Sequence, residues 1–257
     1  MSKLDYVDVA TAKAAGGVRI VVSGLVPSPW SEATKGLFRV AGVPIHAVRR
    51  MRDATEIQAW TQVDNVPVVL HGAEPVRTHW AAITELAARL AGPDVLLADD
   101  IAQRAEQIGL IDILAGEDGV GWTSRLAMVD VALATGGERG FPLPVAQYLA
   151  ARYGHAPGVL ARATERIGRQ LRLFRDRLVR SGGDYACGAR VGAVDIYLAT
   201  FLTPLLPIAE ADCPTLAPPL RRAFGAAHET FGALVPHELV DHRRMMFERH
   251  LAWPIAL

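Results

Sequence analysis

The sequence is poor in cysteine and has no excess of either charge. Its 257 residues include two cysteines, Cys187 and Cys213, and 27 basic (Lys, Arg) against 27 acidic (Asp, Glu) residues. Two cysteines outside any CxxC or metal-ligand spacing exclude a disulfide framework and suit a reducing cytoplasm. A balanced charge lacks the basic surface that nucleic acids or acidic membranes require. These absences favour a small-molecule partner, with no nucleic acid and no metal.

Long hydrophobic runs are also missing. Apolar residues make up 51% of the chain, but no run is long enough to span a membrane, so the composition predicts a soluble globular protein. Residues 1–17 have no apolar core next to a basic end, which argues against a secretory signal, and we interpret them as a loose leader. The sequence therefore predicts a cytoplasmic protein without a membrane anchor.

The first clear pattern is a β-α-β unit. Residues 18–23 are short and β-branched, and residues 29–41 carry apolar side chains at helical spacing. Gly42 and Pro44 end that helix. Residues 45–49 predict a second strand, which a right-handed crossover places parallel to the first.

A second strand-rich unit follows. Residues 66–70 and 75–77 predict two strands joined as a hairpin, and residues 79–90 predict the next helix. After Pro93 the strand-like alternation disappears, because the remaining chain is a series of helical stretches separated by Gly and Pro. We place a domain boundary there.

The sequence thus predicts an α/β domain over residues 18–93 and an all-α domain over residues 97–257. The helices of the second domain are predicted over residues 99–115, 122–134, 144–153, 158–181, 193–203, 216–231 and 237–250.

The first candidate functional residue is Ser28, which precedes Pro29 where the first helix begins. A serine in this position offers its hydroxyl, and the helix offers its first backbone N–H groups, to an anion, because these groups have no intrahelical acceptor. Taken alone, a serine before a proline is more often an ordinary helix N-cap. We expect the anion to be a thiolate.

Three motifs in this order resemble those of the cytosolic glutathione transferase family, in its serine type, and the resemblance covers nearly the whole chain. They are Ser28-Pro29-Trp30-Ser31 at the first helix, Asn65-Val66-Pro67-Val68 at the third strand, and Gly192-Ala193-Val194-Asp195 in the helical region. The resemblance implies a thioredoxin-like α/β N-terminal domain followed by an all-α C-terminal domain. It also implies a homodimer and a role in detoxification.

The resemblance assigns roles to these residues. Ser28 activates the thiol of glutathione, and Val66, before a cis Pro67, offers its backbone N–H and C=O to the cysteinyl part. Asp195 reaches back to cap its helix, although Gly192 stands where the family has Ser or Thr.

One departure concerns the γ-glutamyl group, which the family grips with an acid followed by Ser. Here the pair is either Thr78-His79 or His79-Trp80, and it contains no acid. A Thr78 hydroxyl at a helix start can still hold a carboxylate. Glu74 and an acid of a partner subunit are both candidates for the ammonium. Arg49, Arg50 and Arg52 either meet the glycyl carboxylate or serve surface solubility.

The resulting functional prediction is a glutathione transferase that adds the sulfur of glutathione to a small hydrophobic electrophile. Trp30, Trp122 and Arg125 are the candidates for the acceptor site. No His-Asp pair at catalytic spacing accompanies Ser28, which argues against a serine hydrolase. Two alternatives stay open: a noncatalytic binding or scaffold protein of the same fold, and a glutathione-dependent isomerase or ether-cleaving enzyme.

Overall fold

The structure, a computed structural model, describes residues 4–257. In that range the first part of the chain builds a mixed sheet of three strands in the order β2-β1-β3. These strands are β1 (Val18–Ser23), β2 (Ile45–Arg50) and β3 (Val68–His71). β1 runs parallel to β2 and antiparallel to β3, so that Val18 pairs with both Ile45 and His71.

Helices cover both faces of this sheet: α1 (Val9–Ala14), α2 (Pro29–Val40), α3 (Thr55–Thr61) and α4 (Trp80–Ala91). Successive side chains of a strand point to opposite faces. Ile20 of β1 accordingly joins the main core with α2 and α4, while Val21 packs in a second cluster with Val9 of α1 and Ile57 of α3. This two-sided burial explains why β1 is a nearly continuous apolar run.

Two sequence predictions are wrong here. The stretch interpreted as a loose leader contains α1, whose N-cap Asp8 accepts a hydrogen bond from the Thr11 N–H at 2.7 Å; its first three residues lie outside the described range. The predicted strand at 75–77 is reduced to one bridge, in which Val69 and Arg77 exchange backbone hydrogen bonds of 2.8 and 3.0 Å. Pro75 cannot donate to a ladder, which limits the pairing.

The rest of the chain is helical, as predicted. Each helix begins and ends within two residues of its predicted bounds, whereas the division into two domains stays a prediction. The helices are α5 (Ile101–Ala115), α6 (Val120–Ala134), α7 (Leu143–Tyr153), α8 (Val159–Ser181), α9 (Ala193–Leu202), α10 (Pro218–Phe231) and α11 (His237–Arg249), with short 3-10 turns at Thr203–Leu205 and Gly232–Leu234.

The helix α9 is the centre of the core, because all ten of its residues are buried. α2, α5 and α11 pack against it. Gly36 permits the close approach of α2, since a Cβ there would lie 2.8 Å from side-chain atoms of both Ile196 and Leu251. The packing of α2 on α9 fixes α2 against the helical part and so positions the N-terminus of α2.

The last residues return to the sheet. The Ala256 carbonyl accepts hydrogen bonds from the Tyr6 hydroxyl (2.9 Å) and the Lys35 ammonium (2.8 Å). Arg49 Nε donates to the Leu257 carbonyl at 2.6 Å. Arg49, one of the arginines considered for the glycyl carboxylate, thus uses its Nε for a hydrogen bond within the chain.

Candidate functional site

A cavity of about 290 Å³ lies where the sheet part meets the helical part. Ser28 and Trp30 at the start of α2, and Val66 before β3, form one wall, and α6, α7 and α10 form the other. Most of the lining is apolar. Its apolar residues include Met128, Phe141, Leu149, Leu220 and Phe224.

Ser28 is the N-cap residue of α2 by its backbone. Its N–H donates to the Val26 carbonyl at 2.8 Å, and its carbonyl accepts the first helical hydrogen bond, from the Glu32 N–H at 2.9 Å. Its side chain caps nothing, and no protein group in residues 4–257 hydrogen-bonds the hydroxyl. The hydroxyl of a partly buried serine is thus available to a ligand in the cavity.

The segment before β3 supplies the neighbouring wall. The Val66–Pro67 peptide bond is cis, and Val66 lines the cavity whereas the buried Pro67 does not. Asp64 accepts hydrogen bonds of 2.6 Å from both Gln58 and Arg50. These two bonds hold the pKa of Asp64 below its ordinary value. Asp64 and Arg50 therefore form an ion pair at the cavity edge.

The acceptor-site candidates are arranged around Trp30. Its indole Nε1 donates to the Ala115 carbonyl at 3.0 Å, and its ring meets Phe201 edge-on at 4.8 Å between centroids. The Arg125 guanidinium carbon lies 4.2 Å from the Trp30 ring centroid. Trp122 does not line the cavity, but its ring packs edge-on against Tyr153, which does, at 5.0 Å.

The pair predicted to grip the γ-glutamyl group lies elsewhere. Helix α4 begins at Trp80, so Thr78 and His79 precede it, and neither lines the cavity. The His79 ring Nδ1 accepts a hydrogen bond from the Ala81 N–H at 3.2 Å, which makes His79 the N-cap. The ring therefore uses one N–H group that a ligand carboxylate could otherwise bind.

Glu74, the candidate for the ammonium, is held by basic side chains. Arg89 donates to it at 2.6 and 2.8 Å, His71 Nδ1 lies 2.8 Å from one of its oxygens, and Arg77 donates at 2.5 Å. These hydrogen bonds, that of Arg89 foremost, lower the pKa of Glu74 to about 2. Its carboxylate is already compensated by three side chains.

The structure thus brings Ser28, Trp30, Val66 and Arg125 to one cavity and leaves Pro67, Thr78, His79 and Trp122 off its wall. Sequence reasoning missed several polar lining residues, among them Asp64, Ser124, Arg152 and Tyr153. The residues of α6 and α7 in this set are ordinary members of helical patterns, and no local motif distinguishes them.

Across residues 4–257, no group of three or more His, Cys, Asp or Glu side chains is arranged to hold a metal ion. None of the described helices combines the length and the apolar character needed to cross a bilayer.

The architecture is that of the glutathione transferases: a thioredoxin-like sheet part followed by an all-α part. The sequence matches no protein-family model and no curated protein. A glutathione transferase family member from Pseudomonas fluorescens, crystallised with two glutathione bound, superposes with a TM-score of 0.63 at 17% identity, covering 94% of each chain.

Two further solved structures share the fold. A glutathione transferase from Pseudomonas putida, with one glutathione disulfide bound per subunit, gives a TM-score of 0.60 at 15% identity, covering 92% of this chain and 89% of that one. The beta-etherase LigF from Sphingobium gives 0.56 at 14% identity, covering 84% and 99%. At such identities the likeness establishes the fold, and function must be argued from the site.

Proposed function

We propose that this protein is a glutathione transferase in which Ser28 stabilises the thiolate of reduced glutathione for attack on an electrophile. The observation that carries the proposal is the position of Ser28. It lies at the N-terminus of α2, on the wall of an apolar cavity, and no residue of the described range hydrogen-bonds its hydroxyl. The fold shared with proteins crystallised with glutathione supports the choice of ligand.

The proposed chemistry needs a modest stabilisation of negative charge. A cysteine thiol has a pKa of about 8.5, and only the thiolate is a good nucleophile. Lowering that pKa by about two requires roughly 2.7 kcal/mol in favour of the thiolate. A hydrogen bond from a hydroxyl group and the positive end of α2 together contribute a free energy of this magnitude. Ser28 acts as a hydrogen-bond donor in this mechanism and does not attack the substrate.

Val66 is proposed to bind the peptide part of the ligand. It lines the same cavity as Ser28, and its backbone groups are suited to pair with the cysteinyl unit of an extended peptide. Trp30 and Arg125 then border the electrophile, with Trp122 supporting the Tyr153 wall from behind. Thr78 and His79 are kept as the proposed contacts of the γ-glutamyl end. No metal enters this mechanism.

The test is calorimetric titration with reduced glutathione and with S-methylglutathione, which has no free thiol. We expect saturable binding of both in the micromolar to millimolar range. Ser28→Ala should leave S-methylglutathione binding intact and lower the conjugation rate at neutral pH by roughly ten- to a hundredfold, the loss of one hydrogen bond to a charged group. Ser124→Ala, which removes a hydroxyl from the opposite wall, is the matched control. An unchanged thiolate absorbance and rate in Ser28→Ala would remove Ser28 from the mechanism.

A second candidate function, a noncatalytic binding or scaffold protein, is favoured by the γ-glutamyl end of the site. His79 caps α4 with its own ring, and Glu74 is engaged by arginines. Absence of binding in both titrations would select this function. A glutathione-dependent isomerase is separated by stoichiometry, since an isomerase regenerates glutathione and a transferase consumes it. An ether-cleaving enzyme is separated by its product, since attack of the thiolate on an ether carbon releases an alcohol or a phenol.

Three further features belong to the proposal. We infer a homodimer, a cytoplasmic location and a role in detoxification, all three from the likeness to glutathione transferases. The two free thiols, Cys187 and Cys213, are compatible with a reducing compartment. Light scattering at micromolar concentration gives the mass directly, and a mass of one chain would contradict the dimer.

A further inference from the structure

Arg125 on α6 is a cation in an apolar cavity without a carboxylate to balance it. Its guanidinium carbon lies 4.2 Å from the ring centroid of Trp30 and 4.6 Å from that of Tyr153. In the part of the chain that the structure describes, no acidic side chain comes within ion-pairing distance of it. Burial lowers the pKa of Arg125, which reflects the cost of keeping the charge away from water.

The other two arginines of the cavity differ from Arg125 in this respect. Arg50 is 2.6 Å from the Asp64 carboxylate, and Arg152 is 3.7 Å from the same carboxylate and also donates to the Asp64 carbonyl at 2.6 Å. Asp64 is the acidic residue among those that line the cavity, and these two arginines share it. The charge of Arg125 therefore remains uncompensated.

An uncompensated guanidinium is costly to bury and is suited to a particular ligand group. Ring contacts of this kind involve the flat face of the guanidinium. Tyr153 is also a hydrogen-bond partner of Arg125, but a single phenol oxygen cannot accept from all five N–H donors, so donors along the edge remain for a ligand. A carboxylate matches that edge with two parallel hydrogen bonds. Met128, Leu220 and Phe224, which line the same cavity, offer only apolar surface, so an anion must arrive with the ligand.

We propose that the cavity binds a small ligand with an apolar, planar body and an anionic group such as a carboxylate, which Arg125 binds directly. The acceptor of the reaction is then an anionic electrophile and not a neutral one. Naming this ligand the acceptor rests on the proposed function: Trp30, which contacts Arg125, is two residues from Ser28, the proposed hydrogen-bond donor to the glutathione thiolate.

The test uses a matched pair of ligands, cinnamate and cinnamamide, which share a shape and differ in charge. Calorimetry is performed without any thiol, so the result does not depend on glutathione chemistry. We expect cinnamate to bind about tenfold or more tightly than cinnamamide, as a hydrogen-bonded ion pair provides. Arg125→Met keeps most of the side-chain volume and should reduce the preference to about twofold or less, the range of context-dependent variation.

Two variants complete the design. Arg125→Lys retains a cation and should keep part of the preference for cinnamate, and it also covers the case in which Arg125→Met does not fold. Arg152→Met removes a cation of the same cavity that Asp64 already balances, and should leave most of the preference in place. Equal binding of the two ligands by the unmodified protein, or a preference that survives Arg125→Met, would overturn the proposal. The glutathione titrations are separate, so each proposal can fail alone.

Discussion

The Asp195 carboxylate accepts a hydrogen bond from the Gly192 N–H at 3.0 Å and so caps α9 although residue 192 has no side chain. The same carboxylate accepts from the Ala186 N–H at 2.7 Å and lies 3.1 Å from His242 Nε2. Asp195 is fully buried, as is the helix that it caps. One carboxylate thus joins the start of the central helix to the preceding loop and to α11.

We expect Asp195→Asn to be among the most destabilising conservative changes in the protein. An amide cannot accept from all three partners with the strength of a charged group, and buried N–H groups lose their acceptor. The expected loss is about 3 kcal/mol of the free energy of unfolding, measured by urea denaturation. Asp241→Asn on α11, whose exposed carboxylate pairs with Arg244, is the control and should change stability by less than about 0.5 kcal/mol. Equal losses would contradict the central role of Asp195.

A second prediction concerns Gly121, where α6 approaches the cavity. A Cβ at this position would lie 2.5 Å from the Phe201 ring and 2.8 Å from Trp30. Gly121→Ala should therefore cost about 1–3 kcal/mol through overpacking and displace Trp30 from the wall. Gly109→Ala in α5 has open space around the new methyl and should instead stabilise by about 0.5–1 kcal/mol. Thermal denaturation of both variants gives the signs, and the same sign in both would contradict this packing.

How far the sequence predicts the structure depends on the range of the interactions involved. Helix α2 could be located because Pro29 and Gly42 mark its ends locally, and the parallel strand Ile45–Arg50 followed from chain geometry. Helices α1 and α3 were missed because they are six and seven residues long, too short for a periodic pattern. These two helices cover the second face of the sheet, and only the three-dimensional structure shows that β1 is buried on that face as well.

In the candidate site, too, residues in local motifs could be predicted, whereas residues that act through long-range contacts could not. Ser28 and Val66 could be named because each lies beside a proline in a short motif that resembles a known family. Arg125 was named only as a candidate, since its pairing with Trp30 joins residues far apart in sequence. The ion pair between Glu74 and Arg89, which are fifteen residues apart, cannot be predicted from a local sequence motif either. Ion pairs of this kind depend on side-chain positions that helical spacing does not encode.

The arginines around Glu74 predict an acid-dependent contribution to stability. Hydrogen bonds from Arg89, then from His71 and Arg77, lower the pKa of Glu74 from 4.5 to about 2. Because the pKa is lower in the folded than in the unfolded protein, the contribution is present above about pH 4.5 and is lost as the pH falls toward 2. Glu74→Gln should therefore be less stable than the unmodified protein at neutral pH, and the difference should disappear near pH 2.

Chemical denaturation at a series of pH values measures this difference. Glu165→Gln is the matched control, because its exposed carboxylate has one arginine, Arg169, at 3.3 Å. Because exposed ion pairs contribute little, that variant should have nearly the stability of the unmodified protein at neutral pH. A gap between Glu74→Gln and the unmodified protein that widens on acidification would contradict the assignment.

The Glu32–Lys35 ion pair of α2 lies beneath the C-terminal residues and predicts strong coupling between two substitutions. The charged groups are 2.8 Å apart with side chains 8% and 11% exposed, and Lys35 also donates to the Ala256 carbonyl. Burial raises the pKa of Glu32. Lys35→Met should cost about 3–5 kcal/mol, because it leaves a buried carboxylate without its cation.

The Lys35→Met, Glu32→Gln double variant should be more stable than Lys35→Met alone, since the amide no longer carries a buried charge. Acidification supplies a second readout. A carboxyl group whose pKa is raised on folding destabilises the folded protein when the pH is high enough to ionise it. Lys35→Met should therefore regain stability as the pH falls and Glu32 takes up a proton. The double variant, which has no carboxyl group at residue 32, should not. Urea denaturation of the four proteins at two pH values measures both effects. Additive losses with no pH dependence would mean that Lys35 acts through the Ala256 carbonyl alone.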